Sequence, residues 1–190
     1  QTQDAVNTGQ TLTTPPPPPS PVAGDVVINE LHADPATDIS GDANGDGTRD
    51  FSDDEFVELV NTSSSAVDLS GFTLSDSVSV RHTFAAGTTL EAGQAIVEFG
   101  GGTPTGTFGG ATVVTASSGA VGLNNGGDTV TLSDTNGATV DEVVFGSEGG
   151  KNQSLTRDPD GTGDFVQHTS ATDANGALFS PGTQVDGSAF

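Results

Sequence analysis

No stretch of this chain carries an apolar stripe at helical spacing without a glycine or proline interrupting it, which limits what the chain can fold into. From Val22 onward the apolar residues come in short β-branched runs separated by Gly, Asn, Asp and Ser, the pattern of strands joined by turns. The spacing predicts strands over residues 26–31, 56–61, 72–74, 82–84, 95–99, 111–115, 129–132, 139–145 and 164–168. In Phe72-Thr73-Leu74 and Val130-Thr131-Leu132 the apolar residues alternate with threonine, so each strand buries one face. Asn136-Gly137 tolerates positive φ and predicts a hairpin. Two packed antiparallel sheets are the expected all-β solution.

The densest chemistry lies between the first two predicted strands. Asp42, Asn44 and Asp46 stand at positions one, three and five of an EF-hand-type loop, with Gly47 at six, Thr48 at seven, Asp50 at nine and Asp53 at twelve. These oxygen donors suit Ca2+, with Thr48 offering its carbonyl. Position twelve is Asp rather than a bidentate Glu, so Asp54 or Glu55 is an alternative closing ligand. Asp34 and Asp38 extend the four-residue spacing of Asp42, Asp46 and Asp50 and are additional candidates. On a helix that spacing would form one acidic face, but Pro35, Gly41, Gly45 and Gly47 exclude a helix. An irregular acidic loop wrapping one or two ions is the expectation, because crowded carboxylates repel unless a cation neutralises them. A solvated acidic loop holding no ion is the alternative.

Only Arg49, Arg81, Lys151 and Arg157 oppose 26 acidic residues, for a net charge of -22. No basic patch exists to displace phosphate counterions, so nucleic acid and anionic membrane surfaces are disfavoured partners. Such acidity suits high salt or calcium-rich external water. The chain has no Cys, so stability is expected from packing and ions. It opens at Gln1 and contains no Met, which reads as a mature secreted chain after removal of its signal. No apolar run approaches the roughly 18 residues that span a bilayer. The sequons at Asn61 and Asn152 permit surface glycans.

Residues 1–14 are polar, with Val6 and Leu12 their only sizeable apolar side chains, and Pro15 to Pro19 with Pro21 form a polyproline spacer. The expected organisation is an extended tail over residues 1–21 and one domain over residues 22–190.

Nucleophilic chemistry is sparse. There is no Cys nucleophile, no Gly-x-Ser-x-Gly elbow and no His-Glu-x-x-His, and His32, His82 and His168 stand singly. Gly100-Gly101-Gly102-Thr103-Pro104-Thr105-Gly106 lacks the lysine of a phosphate cradle and reads as a flexible loop. Asn29, Glu30 and Glu58, beside apolar strand residues, are expected to face solvent or pair structurally; the alternative is that Glu30 or Glu58 reaches the ion. Arg157, among Asp158, Asp160 and Asp164, reads as a structural ion pair or loop clamp.

Eight segments in order resemble the lamin tail domain family. They are Val27-Ile28-Asn29-Glu30-Leu31-His32-Ala33-Asp34-Pro35, Glu55-Phe56-Val57-Glu58-Leu59-Val60-Asn61-Thr62, Val67-Asp68-Leu69-Ser70-Gly71-Phe72-Thr73-Leu74-Ser75-Asp76, Leu90-Glu91-Ala92-Gly93-Gln94-Ala95-Ile96-Val97, Leu123-Asn124-Asn125-Gly126-Gly127-Asp128-Thr129-Val130-Thr131-Leu132, Val140-Asp141-Glu142-Val143, Ser154-Leu155-Thr156-Arg157-Asp158-Pro159-Asp160-Gly161 and Phe179-Ser180-Pro181-Gly182-Thr183. The resemblance implies an immunoglobulin-like antiparallel β-sandwich with a long acidic calcium-binding loop between its first two strands. It is similar above all to prokaryotic secreted members, in which that insert is a familiar place for calcium. No heptad rod of a nuclear lamin is present.

The functional expectation is a secreted, calcium-stabilised structural or adhesive surface protein rather than an enzyme. It would be a homo-oligomer or filament subunit joined through residues 1–21 by strand addition to a neighbour, with Val6 and Leu12 as anchors. The alternative is an accessory carbohydrate- or ligand-binding module of a larger secreted hydrolase.

Overall fold

The computed structural model describes residues 16–190. The anchors Val6 and Leu12 lie outside the described residues. Among the described residues, twelve strands form a six-stranded sheet, a four-stranded sheet and a two-stranded ribbon. The larger sheet has the order β12 (Asp164–Gln167), β11 (Leu155–Asp158), β1 (Val26–His32), β2 (Phe56–Asn61), β7 (Ala95–Phe99), β8 (Thr112–Thr115). The smaller has β10 (Thr139–Phe145), β9 (Asp128–Ser133), β4 (Thr73–Ser75), β5 (Val80–Thr83), and the ribbon pairs β3 (Val67–Asp68) with β6 (Thr89–Leu90).

The nine predicted strands are present to within two residues, and the predicted hairpin joins β9 to β10 with Gly137 at φ 80°. The strands missed are β3 and β6, two residues each, and β11, whose Leu-Thr-Arg-Asp sequence carries no β-branched apolar run. One pairing departs from the antiparallel expectation: β8 runs parallel to β7. A parallel neighbour requires a crossover, and residues 100–111 supply it.

The two large sheets enclose the main core. Ile28, Leu31, Val57, Leu59 and Ile96 face Leu74, Val130, Leu132 and Val143, all buried. The opposite face of the larger sheet is also covered. There Phe56, Val97 and Phe99 pack under Ala43, Phe108, Ala111 and Phe179, which come from the acidic loop, the β7–β8 crossover and the C-terminal segment. A third layer without regular strands therefore lies on the sandwich, and it carries the site described below.

Arg157 is a clamp, though its ion-pair partner is remote in sequence. Its Nη2 lies 3.6 Å from Asp141 Oδ2, its Nε and Nη1 donate to the carbonyls of Ile28 and Gly163, and the guanidinium stacks on Phe165. The described end of the proline run lies against the sandwich. Pro21 is buried, and the Pro19 carbonyl accepts from the Asp68 amide of β3 at 2.8 Å. Polyproline carbonyls have no internal partner and readily cap an edge amide. At the Asn61 sequon the side chain is fully buried and donates to the carbonyls of Ser65 and Leu90, whereas Asn152 is exposed.

Candidate metal centre

Carboxylates accepting main-chain N–H groups shape the loop between β1 and β2. Asp42 Oδ2 accepts from Gly47 at 2.9 Å, Asn44 Oδ1 from Asp46 at 3.0 Å and Asp46 Oδ1 from Thr48 at 2.8 Å. Asp50 Oδ1 accepts from Ser52 at 2.8 Å and from Asp53 at 3.1 Å. Short Asx side chains make such turns in place of a backbone ladder. Gly45 and Gly47 take φ of 68° and 88°, where a side chain would be strained. Arg49 donates to the carbonyls of Pro35 and Ala36 and clamps them.

These turns use one oxygen of each of Asp42, Asp46 and Asp50. The other oxygen of Asp42 is buried without a hydrogen-bond partner, and Asp46 Oδ2 accepts from the Thr103 amide at 3.2 Å. Burial, and then the nearby charges of Asp50 and Asp46, hold the Asp53 carboxyl above its usual range. Among the described residues, no three Asp, Glu or His side chains already stand together as a metal-ligand cluster. The donor chemistry is all oxygen and suits a hard divalent cation. Asp42, Asn44, Asp46, Thr48, Asp50 and Asp53 share this one loop.

The additional candidates separate. Asp34 accepts from Asn125 Nδ2 and the Asn152 amide, and Asp38 caps the 3-10 turn Ile39–Gly41 through Ser40. Glu55 points to the Gly122 and Leu123 amides at 2.8 and 3.1 Å, and burial pushes its carboxyl up to about 7. Asp54 alone stays within the loop, where it is fully buried and accepts from the Asn44 and Asp50 amides.

The crossover that reads as a flexible glycine loop is the second wall of this site. Thr105 donates its amide to the Asn44 carbonyl at 3.0 Å and its hydroxyl to Gly45. A Cβ on Gly101 would strike the Asp53 carboxylate, and one on Gly102 the side chains of Asn44 and Asp46. The glycines of residues 100–102 are the sequence signal for this close approach, which only a known partner loop makes legible.

Glu30 and Glu58 neither face solvent nor reach the loop carboxylates. Both are fully buried, opposite one another on β1 and β2, under the C-terminal segment. Glu30 accepts from Ser154 Oγ, the Ser180 amide at 3.0 Å and Ser180 Oγ at 2.8 Å. Glu58 accepts from Asn29 Nδ2 at 2.9 Å and the Gly182 amide at 2.6 Å. His168 Nε2 lies 2.9 Å from Ser180 Oγ, while its Nδ1 meets the Ala177 carbonyl at 2.9 Å. Serine, histidine and glutamate meet here, but the glutamate touches the serine rather than orienting the imidazole, and His168 and Glu30 are shut off from solvent. The group is a clamp.

The family model for the lamin tail domain matches residues 19–147. The chain belongs to the lamin tail domain family. That match holds the acidic loop, the crossover and β1 to β10, and the immunoglobulin-like sandwich is this family's structural module. Of the resembling segments, those around Ser154–Gly161 and Phe179–Thr183 fall beyond it. Compared with curated proteins, this lamin tail domain has no significant match.

Proposed function

We propose that this lamin tail domain is a calcium-stabilised extracellular module of structural or adhesive kind. The carrying observation is Asp42, where one carboxylate oxygen closes the turn at Gly47 and the other is buried and unpartnered. Asp42, Asn44, Asp46, Asp50 and Asp53, with the Thr48 carbonyl, would hold Ca2+, which supplies charge neutralisation to a loop that otherwise repels itself. Millimolar calcium outside cells matches the weaker binding of such loops. The same loop covers Phe56 and Phe99 through Ala43, so stabilising it stabilises the outer layer.

Calcium at about a thousand-fold excess over Kd should stabilise the fold by about 4 kcal/mol, read as a higher melting temperature that a chelator reverses. An unchanged melting temperature on chelation sinks the calcium reading. Homo-oligomerisation through the N-terminal tail belongs to the same proposal. Deleting residues 1–15, which spares the docked Pro19 and Pro21, should abolish higher-order species in light scattering if the tail joins subunits. Equal assembly of the two chains removes the tail from the proposal.

A further inference from the structure

We propose that residues 178–185 are a strap, latched onto the outer face of the larger sheet by Glu30 and Glu58, which loosens as the pH rises. The segment contains no strand of the sheets. Carboxylates take up its main chain: Glu30 the Ser180 amide and hydroxyl, Glu58 the Gly182 amide, and Asp160 the Val185 amide at 3.1 Å. Its apolar hold comes through Phe179, which packs with the Phe56–Phe99 cluster and on His32, and through Val185 beside Ala171 and Ala174.

The latch places two carboxyl groups side by side with little to neutralise them. Facing the pair are His168, whose Nε2 is 4.0 Å from Glu30, Asp160 from the β11–β12 turn, and the neutral groups Asn29, Ser154 and Ser180. His32, next on the same face of β1, is kept uncharged by burial, which pushes it down to about 3. The strap itself brings no cation. Burial raises Glu58, and the neighbouring Glu30 raises it further; burial also raises Glu30 against the pull of His168. With the strap lifted, water would reach both groups and return them toward the ordinary carboxylate range. Raised values in the closed state mean that the closed state holds protons the open one has lost. Strap stability is thus fully present below the ordinary carboxylate value and is lost as the pH climbs through the closed-state values. The acidic loop need hold no cation for this device to operate.

The test is amide hydrogen exchange on the full chain, corrected for the base dependence of the intrinsic rates, between about pH 5 and about pH 9. Protection at Ser180, Gly182 and Val185 should fall at least about tenfold relative to Val97 in the central strand β7. Glu58→Gln keeps an acceptor for Gly182 without the charge and should flatten that response. A pH-independent strap, or an unaltered response in Glu58→Gln, overturns the proposal. Carboxyl carbon NMR of the unmodified protein covers the case in which the variant does not fold. Titration of the Glu30–Glu58 pair above the ordinary range supports the latch, and ordinary titration refutes it.

Discussion

Gly109 and Gly182 interlock. A Cβ on Gly109 would strike the Gly182 carbonyl, and a Cβ on Gly182 the Phe108 carbonyl, so the crossover and the C-terminal segment meet backbone to backbone. Both glycines have positive φ, 58° and 80°. Gly182→Ala should therefore cost about 1–3 kcal/mol for overpacking beyond the left-handed strain itself. Gly187→Ala, at φ 85° with open space around it, isolates that strain. Urea denaturation of both variants measures the difference, and equal losses would show that the contact carries no energy.

Within the acidic loop, Asp42→Ala and Asp46→Ala should each weaken calcium binding by at least about tenfold in calorimetric titration. Glu91→Ala, exposed in the turn before β7, removes one charge elsewhere and should leave the affinity unchanged. Equal effects of all three would mean diffuse charge screening rather than a site.

Glu98 on β7 is 2% exposed, both its oxygens are buried without partners, and burial pushes its carboxyl up to about 8. The unfolded chain ionises near the ordinary 4.5 while the folded one holds its proton. The sandwich is thus most stabilised below that value and loses about 1.4 kcal/mol per pH unit through this group until the pH passes its folded value. Glu98→Leu should remove this slope, seen as a stability gain over the unmodified protein that widens from about pH 5 to about pH 8. A constant difference across that range would refute the assignment.

Arg157→Lys keeps the charge but not the fork that serves Ile28, Gly163 and Asp141 together. It should cost about 1–3 kcal/mol in chemical denaturation. A loss no larger than that of an exposed Lys151→Ala would show that the charge alone suffices.

What local sequence determined is what local physics controls. Strands 56–61, 95–99 and 139–145 follow from β-branched runs that must bury a face, the β9–β10 hairpin from Asn136-Gly137, and the acidic loop from alternating Asx and Gly that cannot continue a strand. Even Arg157 was legible as a clamp, though not its partner Asp141, which lies on another sheet.

Only the tertiary structure decided the outer layer. Sequence left Glu30 and Glu58 open to facing solvent or pairing structurally; they are buried and paired because the C-terminal segment returns to cover them and supplies N–H partners. The parallel pairing of β7 with β8 and the approach of Gly101 and Gly102 to Asp53, Asn44 and Asp46 depend on where residues 100–111 travel. Periodicity reports how a side chain would partition between oil and water; it does not report which distant backbone arrives to satisfy a carboxylate away from water.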